Sequence, residues 1–120
     1  MTLINRCKIG CFEDEYTLVF GIEGLAKTET QNCVLQVSKS SDDQDRQLGL
    51  VGLHFEMNNL SDYGLIQKVM LAGRNTLRIL PTDERKFEEV ICSLIDEISN
   101  EECIFLQRML EIADVTIEIS

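Results

Sequence analysis

The sequence predicts an α+β fold: a mostly antiparallel β-sheet with one or two C-terminal helices packed on one face, and a final short strand. Three observations lead there. Apolar residues alternate with polar ones over the first two-thirds of the chain, recur every three or four positions after Pro81, and alternate again in the closing "VTIEIS". Alternation sends successive side chains to opposite faces of a strand, whereas spacing by three and four builds one stripe along a helix.

Taken in order, Tyr16, Leu18, Phe20 and Ile22 alternate with Thr17, Val19 and Gly21, which predicts a strand with one buried face. Cys33, Leu35 and Val37 do the same. In "VGLHFEM", Val51, Leu53, Phe55 and Met57 are expected inward, with Gly52, His54 and Glu56 on the wetter face. "YGLIQKVML" and "TLRIL" predict a hairpin through "AGRN", whose Gly and Asn suit a tight turn. Beyond Pro81, the spacing of Phe87, Val90, Ile91, Leu94, Ile95 and Ile98 predicts a helix, with Thr82 as its cap and Asp83 and Glu84 at the positive end of its dipole. "SNEEC" offers Asn100 as a further cap and predicts a second helix to about Ala113, with Leu106, Met109, Leu110 and Ala113 on its buried face. There is no repeat, low-complexity tract or linker, so residues 1–120 are expected to form a single domain.

Hydrophobic residues make up 44% of the 120 positions and charged residues 27%, an ordinary globular composition. The formal net charge of −10 is not ordinary. It disfavours nucleic acid and anionic membrane as partners and favours a basic protein. The first residues lack the apolar run of a signal peptide, and no stretch reaches the roughly 20 apolar residues of a membrane span. Cys7, Cys11, Cys33, Cys92 and Cys103 are odd in number and scattered, which suits free thiols, mostly buried on strands, in a reducing compartment. The expected location is cytoplasmic.

The chemistry-bearing stretches fail their tests one by one. "SSDDQDRQLGL" has an acidic look, but an EF-hand counted from Asp43 would place Leu48 where glycine is needed and His54 where a bidentate acid is needed. The reading left is a solvated loop between strands. His54 is the single histidine, and without a C-x-x-C pair a zinc site lacks ligands. Beside Glu56, His54 lacks an identifiable nucleophile for a catalytic dyad. The glycines never assemble into a phosphate-binding loop. No cofactor or metal is expected.

From Cys33 to Ile79 one ordered set of short motifs remains. "LQ" (Leu35, Gln36) precedes an acidic loop ending "DxxLG" (Asp45, Leu48, Gly49), then "HFE", then "YG" (Tyr63, Gly64) opening a hairpin whose second arm carries "LRI". In this order the run resembles the immunity protein 10 family, small bacterial proteins associated with polymorphic toxin systems. It departs from the family pattern at Leu65, where a second glycine is frequent, and in a longer helical end. The resemblance implies a non-catalytic antidote that binds a cognate toxin domain and occludes its active face. Asp42, Asp43, Asp45, His54, Glu56 and Tyr63 are then the candidate partner-binding residues. A secretion-type chaperone for an effector protein is the alternative, although such chaperones tend to open with an amphipathic helix. A small enzyme using dispersed acids such as Glu13, Asp14 and Glu56 is a third class. Monomer and homodimer are both compatible with the sequence.

Overall fold

A computed structural model describes residues 1–25, 32–40, 43–49 and 51–120, the Asp43 side chain excepted. The strands run β1 (Thr2–Glu13), β2 (Thr17–Gly24) and β3 (Asn32–Ser38), a short helix α1 (Asp43–Gln47), then β4 (His54–Met57), β5 (Leu60–Tyr63), β6 (Ile66–Ala72), β7 (Thr76–Pro81) and β8 (Val90–Leu94). Helix α2 (Asn100–Ala113) and β9 (Thr116–Ile119) complete the chain. The strand order is β5-β4-β3-β2-β1-β8-β7-β6-β9, antiparallel except that β1 pairs parallel with β8 and β6 with β9. The expected class holds: a mostly antiparallel sheet, a C-terminal helix and a short final strand.

β1 serves two half-sheets. It pairs with β8 through Thr2, Leu3, Ile4 and Cys7, and with β2 from Cys7 to Glu13, so among the described residues Cys7 is the one paired on both sides. The register shifts between Ile4 and Cys7, and Arg6 sits at φ 57°. A strand that changes partners at such an irregularity is how a sheet turns a corner and folds over itself. The consequence is visible in the core. Four interstrand spacings separate β4 from β8, about 19 Å in a flat sheet. Yet Phe55 on β4 and Phe87 just before β8 meet with ring centroids 5.1 Å apart.

Alternation works as read for Leu18, Phe20, Ile22, Cys33, Leu35, Val37, Leu53, Phe55 and Met57, all buried. It overreaches at two ends. Tyr16 lies in the β1–β2 turn, where Asp14 accepts from the Tyr16 and Thr17 amides, and is 71% exposed. Val51 is exposed because Gly52, at φ 89°, breaks the strand before it begins. The β6–β7 hairpin forms through "AGRN", with Gly73 and Arg74 at φ 62° and 68°.

The helix expected over Phe87–Ile98 is instead strand β8, with Phe87 and Ile98 in flanking segments. Val90, Cys92 and Leu94 are buried while Ser93 is exposed. Val90 and Leu94 satisfy both periods, and pairing with β1 on one side and β7 on the other favours the strand. Thr82 accordingly caps nothing; its hydroxyl donates to the Gly64 carbonyl at 2.8 Å.

Helix α2 ends as expected at Ala113, and Leu106, Met109, Leu110 and Ala113 are its buried residues. Its cap is Ser99 rather than Asn100: Ser99 accepts from the Glu102 amide at 3.0 Å and the Glu102 carboxylate accepts from the Ser99 amide at 2.9 Å. Asn100 instead accepts from Arg74, whose guanidinium also donates to the Ile98 carbonyl at 2.7 Å, tying the β6–β7 turn to the helix start. Farther along, Arg108 donates twice to Glu13 at 3.1 Å, and Lys39 lies 2.7 Å from the same carboxylate. The helix is thereby fastened to the ends of β1 and β3.

Two outcomes are expected. Ser99→Ala should cost about 1 kcal/mol, read as a lower urea midpoint with unchanged slope; an unchanged midpoint would remove the cap from the account. Arg108 first, then Lys39, hold Glu13 down to about 2 from an ordinary 4.5. The depressed value means that its stabilising contribution is present above the ordinary value and lost as pH falls from about 4.5 towards 2. Glu13→Gln should therefore flatten the acid limb of the stability curve in that window, and an acid limb identical to that of the parent protein would contradict the assignment.

Candidate interaction face

The β4–β5 hairpin turns on Asn58 and Asn59, with Asn58 at φ 56°, a left-handed value that Asn tolerates. That turn sets the register: His54 opposite Tyr63 and Glu56 opposite Ser61, with all four side chains on the face away from the core. His54 and Tyr63 meet edge to face with centroids 4.9 Å apart. Ser61 Oγ lies 3.1 Å from His54 Nε2 and donates to Glu56 Oε1 at 3.3 Å. Of the sequence-derived candidates, then, the fold brings His54, Glu56 and Tyr63 together, with Ser61 as an unforeseen fourth member.

The loop acids stand differently. Asp43 begins α1 and Asp45 is half-buried within it, while Asp42 lies outside the described residues. The acidic stretch does join two strands, β3 and β4, but with a helical turn inside it. Gly49 at φ 71° ends that turn, its amide donating to the Arg46 carbonyl at 3.2 Å. Because α1 follows the end of β3 and precedes His54, it sits at the same end of the half-sheet as His54 and Tyr63.

Cross-strand register extends this face inward. Tyr63, His54, Gln36, Val19 and Phe12 form one row across β5 to β1, and Ser61, Glu56, Val34, Gly21 and Gly10 form the next. Phe12 is 58% exposed. Sequence reading missed Phe12, Ser61 and the Gly10–Gly21 pair; an interior strand glycine was the available signal, but only register shows that two of them meet.

A serine oxygen near a histidine nitrogen invites comparison with a nucleophile and its base. Ser61 has one hydroxyl proton, however, and it goes to Glu56, so His54 Nε2 is the donor towards Ser61. Among the described residues nothing bonds Nδ1 to orient the ring as a base. Among the described residues no group of three or more His, Cys, Asp or Glu side chains is placed to hold a metal ion.

The cysteines are free, with Cys7, Cys33 and Cys92 buried. A hydrogen bond with Cys33, followed by burial, pushes the Cys92 thiol up. Cys11 is exposed, contrary to the buried position expected of it, yet desolvation and the Glu102 charge push its thiol up to about 11, away from nucleophilic character. Among the described residues no helix is long and apolar enough to cross a membrane.

Comparison of the chain with protein-family models, with curated proteins and with solved structures finds no match in any of the three.

The proton assignment is directly measurable. The imidazole nitrogens of ¹⁵N-labelled protein should report neutral His54 as the Nε2–H tautomer, and Ser61→Ala should erode that preference. Nδ1–H as the dominant form in the parent protein would invert the donor order and reopen Ser61 as a nucleophile candidate.

Proposed function

We propose that the protein is a non-catalytic immunity protein that binds a cognate, basic toxin domain and neutralises it by covering its active face. The observation that carries this reading is the ordered outward face, in which His54, Glu56, Ser61 and Tyr63 are fixed by one another on a rigid hairpin within a molecule of net charge −10. Occlusion asks for shape and charge complementarity, and this face offers an aromatic pair and a carboxylate. The motif order around "DxxLG", "HFE" and "YG" supports the same reading, because these segments line or border that face. Tyr63 supplies a partly apolar anchor, and the α1 acids act at longer range on encounter. Nucleic acid and membrane are excluded from the proposed partners on charge.

The decisive experiment uses the gene next to this one. The variable C-terminal domain of its product should arrest growth when expressed alone and should not when co-expressed with this protein. Arrest that persists in the presence of the protein would refute the reading. With a purified pair, Asp42→Asn, Asp43→Asn and Asp45→Asn combined should slow association about tenfold at low salt and reduce its salt dependence, with dissociation little changed. Unchanged association and salt slope would remove the α1 region from the contact.

A further inference from the structure

Gly10 and Gly21 are direct partners across β1 and β2, in the middle of both strands and on the outward face. Glycine is the poorest residue for such a place, since it gains no cross-strand contact and loses the most backbone entropy. The backbone does not demand it: neither residue is among those with positive φ. Space does not demand it either. A Cβ on Gly10 would meet nothing within 4 Å, and one on Gly21 would meet only the Gly10 carbonyl oxygen at 3.6 Å, an ordinary contact. Folding would tolerate, and strand propensity would favour, a larger residue at position 10.

What the missing side chains create is room. A depression of about 400 Å³ lies over the pair, lined by Lys8, Gly10, Gly21, Glu23, Asn32 and Val34. A second, of about 300 Å³, shares Asn32 and Val34 and reaches Glu56. The two adjoin at Val34 and outline a shallow channel across four strands along the row Gly10, Gly21, Val34, Glu56, three interstrand spacings or about 14 Å long, with the Val34 side chain between its two halves. Its ends differ. One is bare peptide backbone beside exposed Phe12; the other is the Glu56 carboxylate, held in place by Ser61.

We infer that this channel seats a protruding aromatic side chain of a basic protein partner on the Gly10–Gly21 pair, with a lysine or arginine of that partner against Glu56. Two exposed peptide planes present a flat surface to a ring, and ring-sized apolar anchors dominate protein interfaces. The cation follows from charge: Lys8 and Glu23, partners across β1 and β2, offset one another on the floor, whereas Glu56 closes one end without such a lysine beside it in the lining, and the whole molecule carries −10. The inference rests on reading the protein as a binder of a basic partner, and adds where and by what chemistry the partner is gripped.

Gly10→Val is the informative variant, because it fills the channel where nothing obstructs a side chain. The first probe is the peptide acetyl-Lys-Trp-Lys-amide, followed by amide NMR of ¹⁵N-labelled protein. Saturable shifts are expected at Gly10, Gly21, Val34 and Glu56. Affinity should be about tenfold weaker for Gly10→Val with this peptide, and for the parent protein with Lys-Ala-Lys or Glu-Trp-Glu peptides, a loss equivalent to about 1.4 kcal/mol. Glu56→Gln should weaken the Lys-Trp-Lys peptide while sparing the fold, which keeps the test valid if Gly10→Val folds poorly. No saturable shifts, or equal affinity in all variants, would overturn the inference. So would a dimer in light scattering that Gly10→Val converts to monomer, since the channel would then hold a second copy. In the co-expression assay, protection by the parent protein and not by Gly10→Val supports the channel, whereas protection by both overturns it. Failure of the parent protein itself overturns the antidote reading, and the peptide result still decides the channel.

Discussion

Everything in this fold depends on the exchange of partners at Cys7. Below it β1 belongs to one half-sheet and above it to the other, and among the described residues Cys7 is the one paired with both. An uninterrupted β1 would have kept the nine strands in one broad twisted sheet, too wide for a single 14-residue helix to cover. With the shift between Ile4 and Cys7, the halves turn towards each other and share a core. Cys7, Cys33 and Cys92 gather where the halves meet, and small polarizable thiols suit that narrow space better than branched side chains. The exposed backbone at the handover is also bonded: the Leu25 amide donates to the Arg6 carbonyl and the Ile95 amide to the Cys7 carbonyl, each at 3.0 Å.

Folding the sheet inward has an outward consequence. With the apolar sides of both halves and the buried stripe of α2 consumed by one core, the other side of β1 to β5 is left as a broad platform. Its side chains are held by strand register rather than by loops, and each cross-strand pair limits the rotamers of its neighbours. A surface of this kind arrives preorganised at a partner and loses little entropy on contact. The edge hairpin carries the His54, Glu56, Ser61 and Tyr63 cluster and is the part of this platform farthest from β1. The Phe55–Phe87 contact lies directly beneath it and carries its rigidity back to the core.

Legibility in the sequence followed the same physics. Strands with one buried face announce themselves, and β2, β3 and β4 were readable to within their ends. The ends failed where a turn captured the next apolar residue, as the Asp14 turn captured Tyr16 and Gly52 displaced Val51. β8 failed for a deeper reason. Val90 and Leu94 lie on a helical stripe with Phe87, Ile91 and Ile98, and on a strand face with Cys92, and only neighbours remote in sequence select between them. Of the interaction face, His54 and Glu56 were readable as neighbours on one strand. Their meeting with Ser61 and Tyr63 depends on the two-residue Asn turn, and the Gly10–Gly21 channel depends on the register of β1 against β2, which no local pattern encodes.

Two features of the protein run against its stability, and both favour the same kind of partner. The first is the glycine pair, placed where a β-branched residue would fit and hold the strands better. The second is charge. Lys39, Lys68, Arg78, Arg85 and Arg108 pair with Glu13, Glu118, Glu89 and Asp83, yet 21 acidic residues face only 11 basic ones, so a large anionic excess survives all such pairing. Exposed pairs of this type contribute about 0–1 kcal/mol each, too little to explain the excess as a folding device, and mutual repulsion among the remaining acids opposes compactness. Solubility alone would account for the acids but not for the glycines, and backbone economy would account for neither. The proposed basic partner, captured quickly and then held by an inserted ring, would account for both at once: the field would govern encounter, and the channel residence.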